Sequence, residues 1–138
     1  MTDWGPWEAV RQHVRLQLIA LAEELSGRYP VNWSQVADRQ SQAYPFSATL
    51  CISKTAEPAE DVIVSVAAWI DGSTLHLASD VGSQDGEIFA DGPALEVAIL
   101  GAEGVPHMAV GPWLDALDLF LAEVAVEEVV RQLSLPRG

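Results

Sequence analysis

The sequence predicts an α+β fold: an antiparallel meander sheet of four or five strands, with an N-terminal and a C-terminal helix packed on one face. Residues 6–26 and 112–133 repeat apolar residues every three or four positions, as one face of an amphipathic helix requires. The runs between them are short, and several follow a two-residue period, which is typical of strands. Short connections between these runs favour antiparallel neighbours.

The first helix is predicted over residues 6–26. Asp3 is a candidate N-cap, Pro6 suits a first helical turn, and Gly27 suits a stop. The apolar stripe needs a partner surface, and it consists of Trp7, Val10, Val14, Leu18, Leu21 and Leu25.

The segment after this helix changes from helical to strand character. We expect Asn32 to cap one short helical turn that includes Val36 and Ala37, ahead of the polar residues 38–42. Residues 46–53 then alternate between apolar and small polar side chains, which indicates a strand with one buried and one wetter face. Cys51 falls on the wetter face.

A hairpin is the strongest local prediction. Residues 62–70 are apolar at both parities, which indicates a central strand covered on more than one side. Asp71 and Gly72 separate this run from the β-rich residues 73–78. We predict a two-residue type I′ turn at Asp71-Gly72, because that turn needs positive φ at both central positions.

The rest of the chain is predicted to complete the sheet and add the last helix. A polar loop at 80–86 leads to two short strands at 87–90 and 95–100, which are separated by the turn signal Asp91-Gly92-Pro93. A linker at 101–111 precedes the helix at 112–133. Its core face is predicted to carry Trp113, Leu117, Phe120, Leu121 and Val124, continued by Glu128 or Val129.

Length and composition predict a single domain over residues 1–138, since 49% hydrophobic and 20% charged residues are usual for a globular chain. Cys51 is the sole cysteine, which excludes an internal disulfide and favours a reducing compartment. No signal-peptide pattern is visible, and no uncharged apolar run approaches the ~20 residues of a membrane span. We therefore expect a cytoplasmic protein without a membrane segment.

Charge is distributed unevenly along the chain. The formal net charge is −13, and residues 55–130 contain 15 acidic residues and no Lys or Arg. A surface of one sign repels nucleic-acid phosphate and anionic lipid, and it attracts cations or a basic protein. We therefore expect a basic protein partner, and neither nucleic acid nor a membrane surface. Simple solvation of an acidic surface is the alternative interpretation.

Five residues are the candidate partner-binding site. Asp80, Asp85, Glu87 and Asp91 place four carboxylates within twelve positions of a predicted loop and its flanks. Trp69 joins them because its parity is opposite to the core positions of its strand, and Trp combines a large contact area with a polar N–H.

The sequence carries no pattern for catalysis, metal binding or a cofactor. It has no G-x-S-x-G elbow and no dinucleotide or Walker fingerprint. Counted from Asp80, Gly82 takes the third position, where a helix-loop-helix calcium site needs an oxygen ligand. The possible zinc ligands do not stand at ligand spacing, and they are His13, His76, His107 and Cys51.

These observations favour an interaction module over an enzyme. The order of helix, sheet and helix resembles that of small immunity proteins and secretion-chaperone-like domains, in element order only. The resemblance implies an acidic adaptor that binds a protein partner. A small-molecule-binding domain or enzyme, with a pocket between a helix and the sheet, is the alternative. A homodimer formed through a sheet edge also stays open.

Overall fold

The computed structural model describes residues 7–31, 33–41, 44–53, 62–83, 85–98 and 107–133. It confirms the α+β class, with an N-terminal helix, an antiparallel sheet in meander order and helical structure at the C-terminal end. The elements are α1 (Glu8–Arg28), β1 (Trp33–Arg39), β2 (Phe46–Ser53), β3 (Val62–Asp71), β4 (Thr74–Gly82), β5 (Ile88–Asp91), β6 (Leu95–Ala98), α2 (His107–Ala122) and α3 (Val124–Gln132).

The sheet has the strand order β1-β2-β3-β4-β5, and β6 also pairs with β4. The strands β5 and β6 therefore run one after the other along the same edge of β4. Asp80 pairs with Asp91 and Leu77 with Leu95, so three residues of the edge oppose two residues of β4. The extra residue makes a bulge-like interruption at 92–94, whereas the sequence suggested a turn between neighbouring strands.

The core lies between the helices and one face of the sheet. Burial alternates along β2, β3 and β4, so that every second side chain faces the helices. The helix α1 contacts β1 and β2, whereas α3 contacts β3, β4 and β5. Both predicted helical faces belong to one core cluster, which includes Trp7, Leu18, Leu21, Leu117, Phe120 and Leu121.

The first helix continues past the predicted stop. Gly27 is helical, and α1 ends at Arg28, before Tyr29 adopts an extended φ of −136°. Tyr29 precedes Pro30, and a residue before proline is disfavoured in the helical region, so the proline ends the helix. The predicted cap and first turn, Asp3 and Pro6, lie outside the described residues.

The predicted helical turn through Val36 and Ala37 is wrong. Residues 33–39 form strand β1, which pairs with β2 from Trp33↔Ser53 to Arg39↔Ser47. The strand is at the edge of the sheet and most of its described side chains are exposed. An edge strand needs little apolar alternation, and the sequence therefore lacked the signal.

The predicted hairpin forms, but its turn lies one residue later. Asp71 is the last residue of β3 and pairs with Thr74, so Gly72 and Ser73 are the central residues. Gly72 has a φ of 64°, which a residue without Cβ adopts readily. The strand β4 extends to Gly82, and Asp80 therefore lies in a strand and not in the predicted loop.

The single C-terminal helix predicted at 112–133 is two helices. The helix α2 begins at His107, so Pro112 lies inside it, and the helical path breaks at Glu123 before α3. The break changes which positions face the core. Val124 is 43% exposed instead of buried, whereas Glu128 and Val129, which the sequence left as alternatives for the core face, are both buried.

Candidate functional site

The face of the sheet opposite the helices, which we call the open face, carries the predicted site. Residues paired across antiparallel strands share a face, so the register defines its members. They include Ala37 and Arg39 of β1, Ser47, Thr49 and Cys51 of β2, Ile63, Ser65, Ala67 and Trp69 of β3, His76, Ala78 and Asp80 of β4, Ile88 and Asp91 of β5, and Glu96 of β6.

The described part of the chain places its helices on the other face only. Side chains of β3 alternate between fully buried and half-buried. The prediction that this strand is covered on more than one side is therefore wrong for the described residues. Ala67 and Ser65 are half-buried on the open face because neighbouring strands shade small side chains. Cys51 is half-buried there too, as its parity predicted.

Two predicted carboxylates face each other on this surface. Asp80 of β4 and Asp91 of β5 are direct cross-strand partners, which places their Cβ atoms about 4.5–5.5 Å apart. Burial, and secondarily the charge of Asp91, raise the pKa of Asp80 above its ordinary value. Among the described ion pairs, none involves either carboxylate.

The other two predicted carboxylates lie in the connection between the same strands. Asp85 and Glu87 are both exposed. The connection is ordered by Ser83, whose backbone N–H donates to the Glu87 carbonyl at 2.8 Å and whose hydroxyl accepts the Glu87 N–H at 3.1 Å. All four therefore lie on β4, on β5 or in the connection between them, and we call Asp80, Asp85, Glu87 and Asp91 the acidic corner.

An exposed apolar side chain accompanies the acidic corner. Ile88 of β5 is 51% exposed and pairs with Gly82 of β4. On its other side, Gly82 pairs with Ile63 of β3. An apolar centre with charged residues around it is the usual composition of a protein interface. The sequence placed Ile88 in a strand but gave no sign that its side chain would be exposed.

Trp69 lies on the same face at the opposite end. Its ring stacks on His76, its cross-strand partner, with centroids 5.1 Å apart and an interplanar angle of 8°. Tyr44 contacts Trp69 at 6.4 Å between centroids. We call Tyr44, Trp69 and His76 the aromatic row. Glu96 extends it, with Oε2 4.0 Å from Nδ1 of His76.

The two ends of the open face are separated by small side chains. His76 and Asp80 are four residues apart on β4, which corresponds to about 13 Å. Ala78 lies between them on the same face, and Ala67 is its partner on β3. The structure thus places Trp69 and the acidic corner on one surface without direct contact.

Two hollows adjoin the aromatic row. One of about 350 Å³ lies beside Trp69, His76 and Glu96. The other, of about 430 Å³, is lined by Arg39, Ser41, Tyr44 and Ser47, and we call it the Arg39 hollow. A smaller hollow of about 80 Å³ lies between α1 and α2.

The possible metal ligands are dispersed in the described part of the chain. No group of three or more His, Cys, Asp or Glu side chains converges there. His13 of α1 instead contacts Asp118 of α2, with Nε2 2.8 Å from Oδ1. The side chain of His107 lies outside the described residues. None of the described helices is long and apolar enough to cross a membrane.

Comparison with protein-family models, curated proteins and solved structures found no match to this chain.

Proposed function

We propose that this protein is an interaction module that binds a basic protein partner on its open face, with the acidic corner as the docking edge. The observation that carries the proposal is the pairing of Asp80 with Asp91. Burial disfavours the ionised form of Asp80, and repulsion from the adjacent carboxylate of Asp91 adds to this effect, with no described basic partner beside either group. An Arg or Lys side chain from a partner would relieve this repulsion.

The arginines on the helical side support this interpretation because they are already engaged there. Arg11 of α1 contacts Asp38 at 2.8 Å, Arg28 contacts Glu24 at 3.0 Å, and Arg131 contacts Glu128 at 2.9 Å. These contacts hold the cations away from the open face. The acidic corner is therefore left with a strong negative potential.

Trp69 and Ile88 supply the apolar part of the surface. Trp residues often contribute much of the binding energy at protein interfaces, and an exposed Ile gives up water-exposed area when a partner covers it. The separation of about 13 Å between His76 and Asp80 equals four residues of extended chain. An extended basic segment of a partner protein would span both ends of the open face.

The test is an NMR titration of the ¹⁵N-labelled protein with a short peptide of alternating Arg and Ser. We expect saturable shift changes at Asp80, Asp91, Ile88 and the Trp69 indole. The double variant Asp80→Asn and Asp91→Asn should weaken binding several-fold, because it removes the unpaired charges.

The matched control removes the same net charge elsewhere. Glu23→Gln combined with Glu127→Gln neutralises two exposed carboxylates on the helical side and should leave the affinity nearly unchanged. Equal weakening by the two double variants would mean that the peptide responds only to total charge, and the proposed docking surface would then be wrong.

A further inference from the structure

We infer that the protein has a second binding site, in which the Arg39 hollow holds the carboxylate of a small aromatic acid. This site differs from the proposed protein-docking edge in its residues, in the sign of its charge and in the class of its ligand. It lies toward the β1 edge of the open face, whereas Asp80 and Asp91 of the acidic corner lie on β4 and β5.

Arg39 carries the inference because of its charge environment. The other arginines in the described part of the chain each contact a carboxylate, and they are Arg11, Arg15, Arg28 and Arg131. Arg39 has no such contact among the described residues, although the chain has a net charge of −13. Its neighbour Asp38 faces α1, where Arg11 and Arg15 hold it, and therefore cannot neutralise Arg39.

Side chains with hydroxyl groups line the same hollow as Arg39. Ser47 is the cross-strand partner of Arg39, so both lie on the open face. Ser41 and Tyr44 come from the connection between β1 and β2, which is held by two backbone hydrogen bonds between them, at 3.0 and 3.3 Å. The hollow thus combines a planar cation with the hydroxyl groups of Ser47 and Tyr44, which can donate O–H hydrogen bonds to an anion.

The preference for an aromatic ligand comes from Tyr44. This side chain lines the Arg39 hollow and also contacts Trp69, whose ring stacks on His76. One wall of the hollow is therefore the end of the aromatic row, against which a planar ring can pack in an offset or edge-to-face arrangement. A volume of about 430 Å³ lies within the usual range of small-molecule sites.

The charge favours a monoanion. A single guanidinium matches one carboxylate through two parallel N–H donors. A phosphate dianion would bring a second negative charge into a strongly acidic protein, and Arg39 is the only cation among the described residues that line the hollow. We therefore assign the hollow to an aromatic carboxylate and not to a phosphate.

The experiment compares four probes by NMR, following the backbone amides, the Arg39 Nε–Hε signal and the Trp69 indole. Benzoate is the test ligand. Benzamide has the same shape without the charge, cyclohexanecarboxylate has the charge without the planar ring, and inorganic phosphate is an anion without a ring. We expect saturable shifts at Arg39, Tyr44 and Ser47 with benzoate, and clearly weaker binding of the other three.

Three variants test whether the charge of Arg39 binds the ligand. Arg39→Gln should weaken benzoate binding about tenfold or more, which is the usual effect of losing a charged hydrogen-bonding partner. Arg28→Gln removes the same charge from an exposed site at the end of α1 and should leave binding unchanged. Arg39→Lys keeps the charge but lacks the planar guanidinium with its two parallel donors, and it should give an intermediate affinity for benzoate. This variant tests the same contact if Arg39→Gln does not fold.

Several results would overturn the inference. Equal binding of benzoate and benzamide would exclude the charge contact, and equal binding of benzoate and phosphate would exclude the preference for a ring. An effect of Arg28→Gln as large as that of Arg39→Gln would exclude the location. Asp80→Asn with Asp91→Asn should not weaken benzoate binding, so this test and that of the docking surface can fail independently.

Discussion

Asp80 differs from the other carboxylates of the acidic corner in what its charge does to the fold. It is half-buried in a strand and opposes Asp91, whereas Asp85 and Glu87 are exposed in the following connection. Burial and the facing charge raise the pKa of Asp80, so the folded state disfavours its ionised form. A charge that destabilises the fold and lies on an uncovered face is a good candidate for a binding role.

Replacing Asp80 by Asn should stabilise the protein at neutral pH. With its folded-state pKa raised, Asp80 favours folding while it is protonated, and this contribution is lost as the pH rises through that pKa. We expect Asp80→Asn to raise the free energy of unfolding at about pH 7 by less than about 1 kcal/mol, since solvent screens a half-exposed pair.

Urea denaturation at two pH values checks this expectation. The gain should vanish below the ordinary carboxyl pKa of 3.8, where Asp80 is protonated in both the folded and unfolded states. Glu127→Gln, at an exposed position of α3, is the control and should show a smaller change. A loss of stability on Asp80→Asn at neutral pH would show that the carboxylate has a favourable contact, which contradicts the unpaired site.

Arg39, His76 and Glu96 show which site residues a sequence cannot reveal. The acidic corner was predictable because its carboxylates lie close together in the chain. The contacts of Trp69 with Tyr44 and of His76 with Glu96 join residues 25 and 20 positions apart, and they depend on strand register. That no described carboxylate contacts Arg39 is likewise a property of the folded molecule.

Among the elements, the interrupted edge formed by β5 and β6 does most to arrange the open face. Its extra residue lets Asp91 oppose Asp80 while Glu96 opposes His76. Hydrogen bonds with β4 and with α2 hold the interruption in place. Gly92 N–H donates to the Ser79 carbonyl at 2.9 Å, and the Pro93 carbonyl accepts from the Ser79 hydroxyl at 2.9 Å and from Trp113 Nε1 at 3.1 Å.

A side chain at Gly92 should therefore disturb the edge. A Cβ there would lie 2.8 Å from the ring of Phe120 and would also meet the Ser79 hydroxyl, both of which are buried. We expect Gly92→Ala to lower the free energy of unfolding by about 1–3 kcal/mol, as overpacking does. Thermal denaturation followed by circular dichroism measures the change.

Gly111→Ala is the matched control in the same experiment. Gly111 is exposed in α2, and a Cβ there meets nothing within 4 Å. Alanine should stabilise this helix by up to about 1 kcal/mol. If both alanines had the same effect, Gly92 would not be packed as the structure shows it.

The elements that the sequence predicted best are those with a strong period. The apolar stripe of α1 and the alternation of buried and half-buried side chains in β2 both depend on local spacing, and the structure contains both. The strand β1 was missed because an edge strand has few buried positions. The break at Glu123 was missed because no Gly or Pro marks it, and Pro112 suggested a helix start where it lies inside α2.

On the scale of the whole molecule, four of the five described arginines lie on the helical side of the sheet, and Arg39 is the one on the open face. The described arginines of α1 and α3 contact carboxylates of the helical side, and the acidic corner has no described cation beside it. Complementary charge mainly accelerates association, over distances within a Debye length of about 10 Å at moderate salt. A basic partner should therefore bind fast, and its association rate should fall as salt is added.

Reversing the charge of the exposed part of the acidic corner tests this last expectation. Asp85→Lys with Glu87→Lys should slow association of the Arg-Ser peptide several-fold at low salt, because these side chains lie at the docking edge. Both are exposed, so circular dichroism should show an intact fold. Stopped-flow fluorescence with a labelled peptide, repeated over a range of salt concentrations, gives the rate.

The control for this kinetic test is Glu23→Lys with Glu127→Lys, which makes the same change in net charge on the helical side. Its effect on the rate should be smaller at every salt concentration, because steering depends on where the charge lies as well as on its total. If association is indifferent both to the changes at Asp85 and Glu87 and to ionic strength, the acidity serves only solvation. The acidic corner would then not be a docking edge.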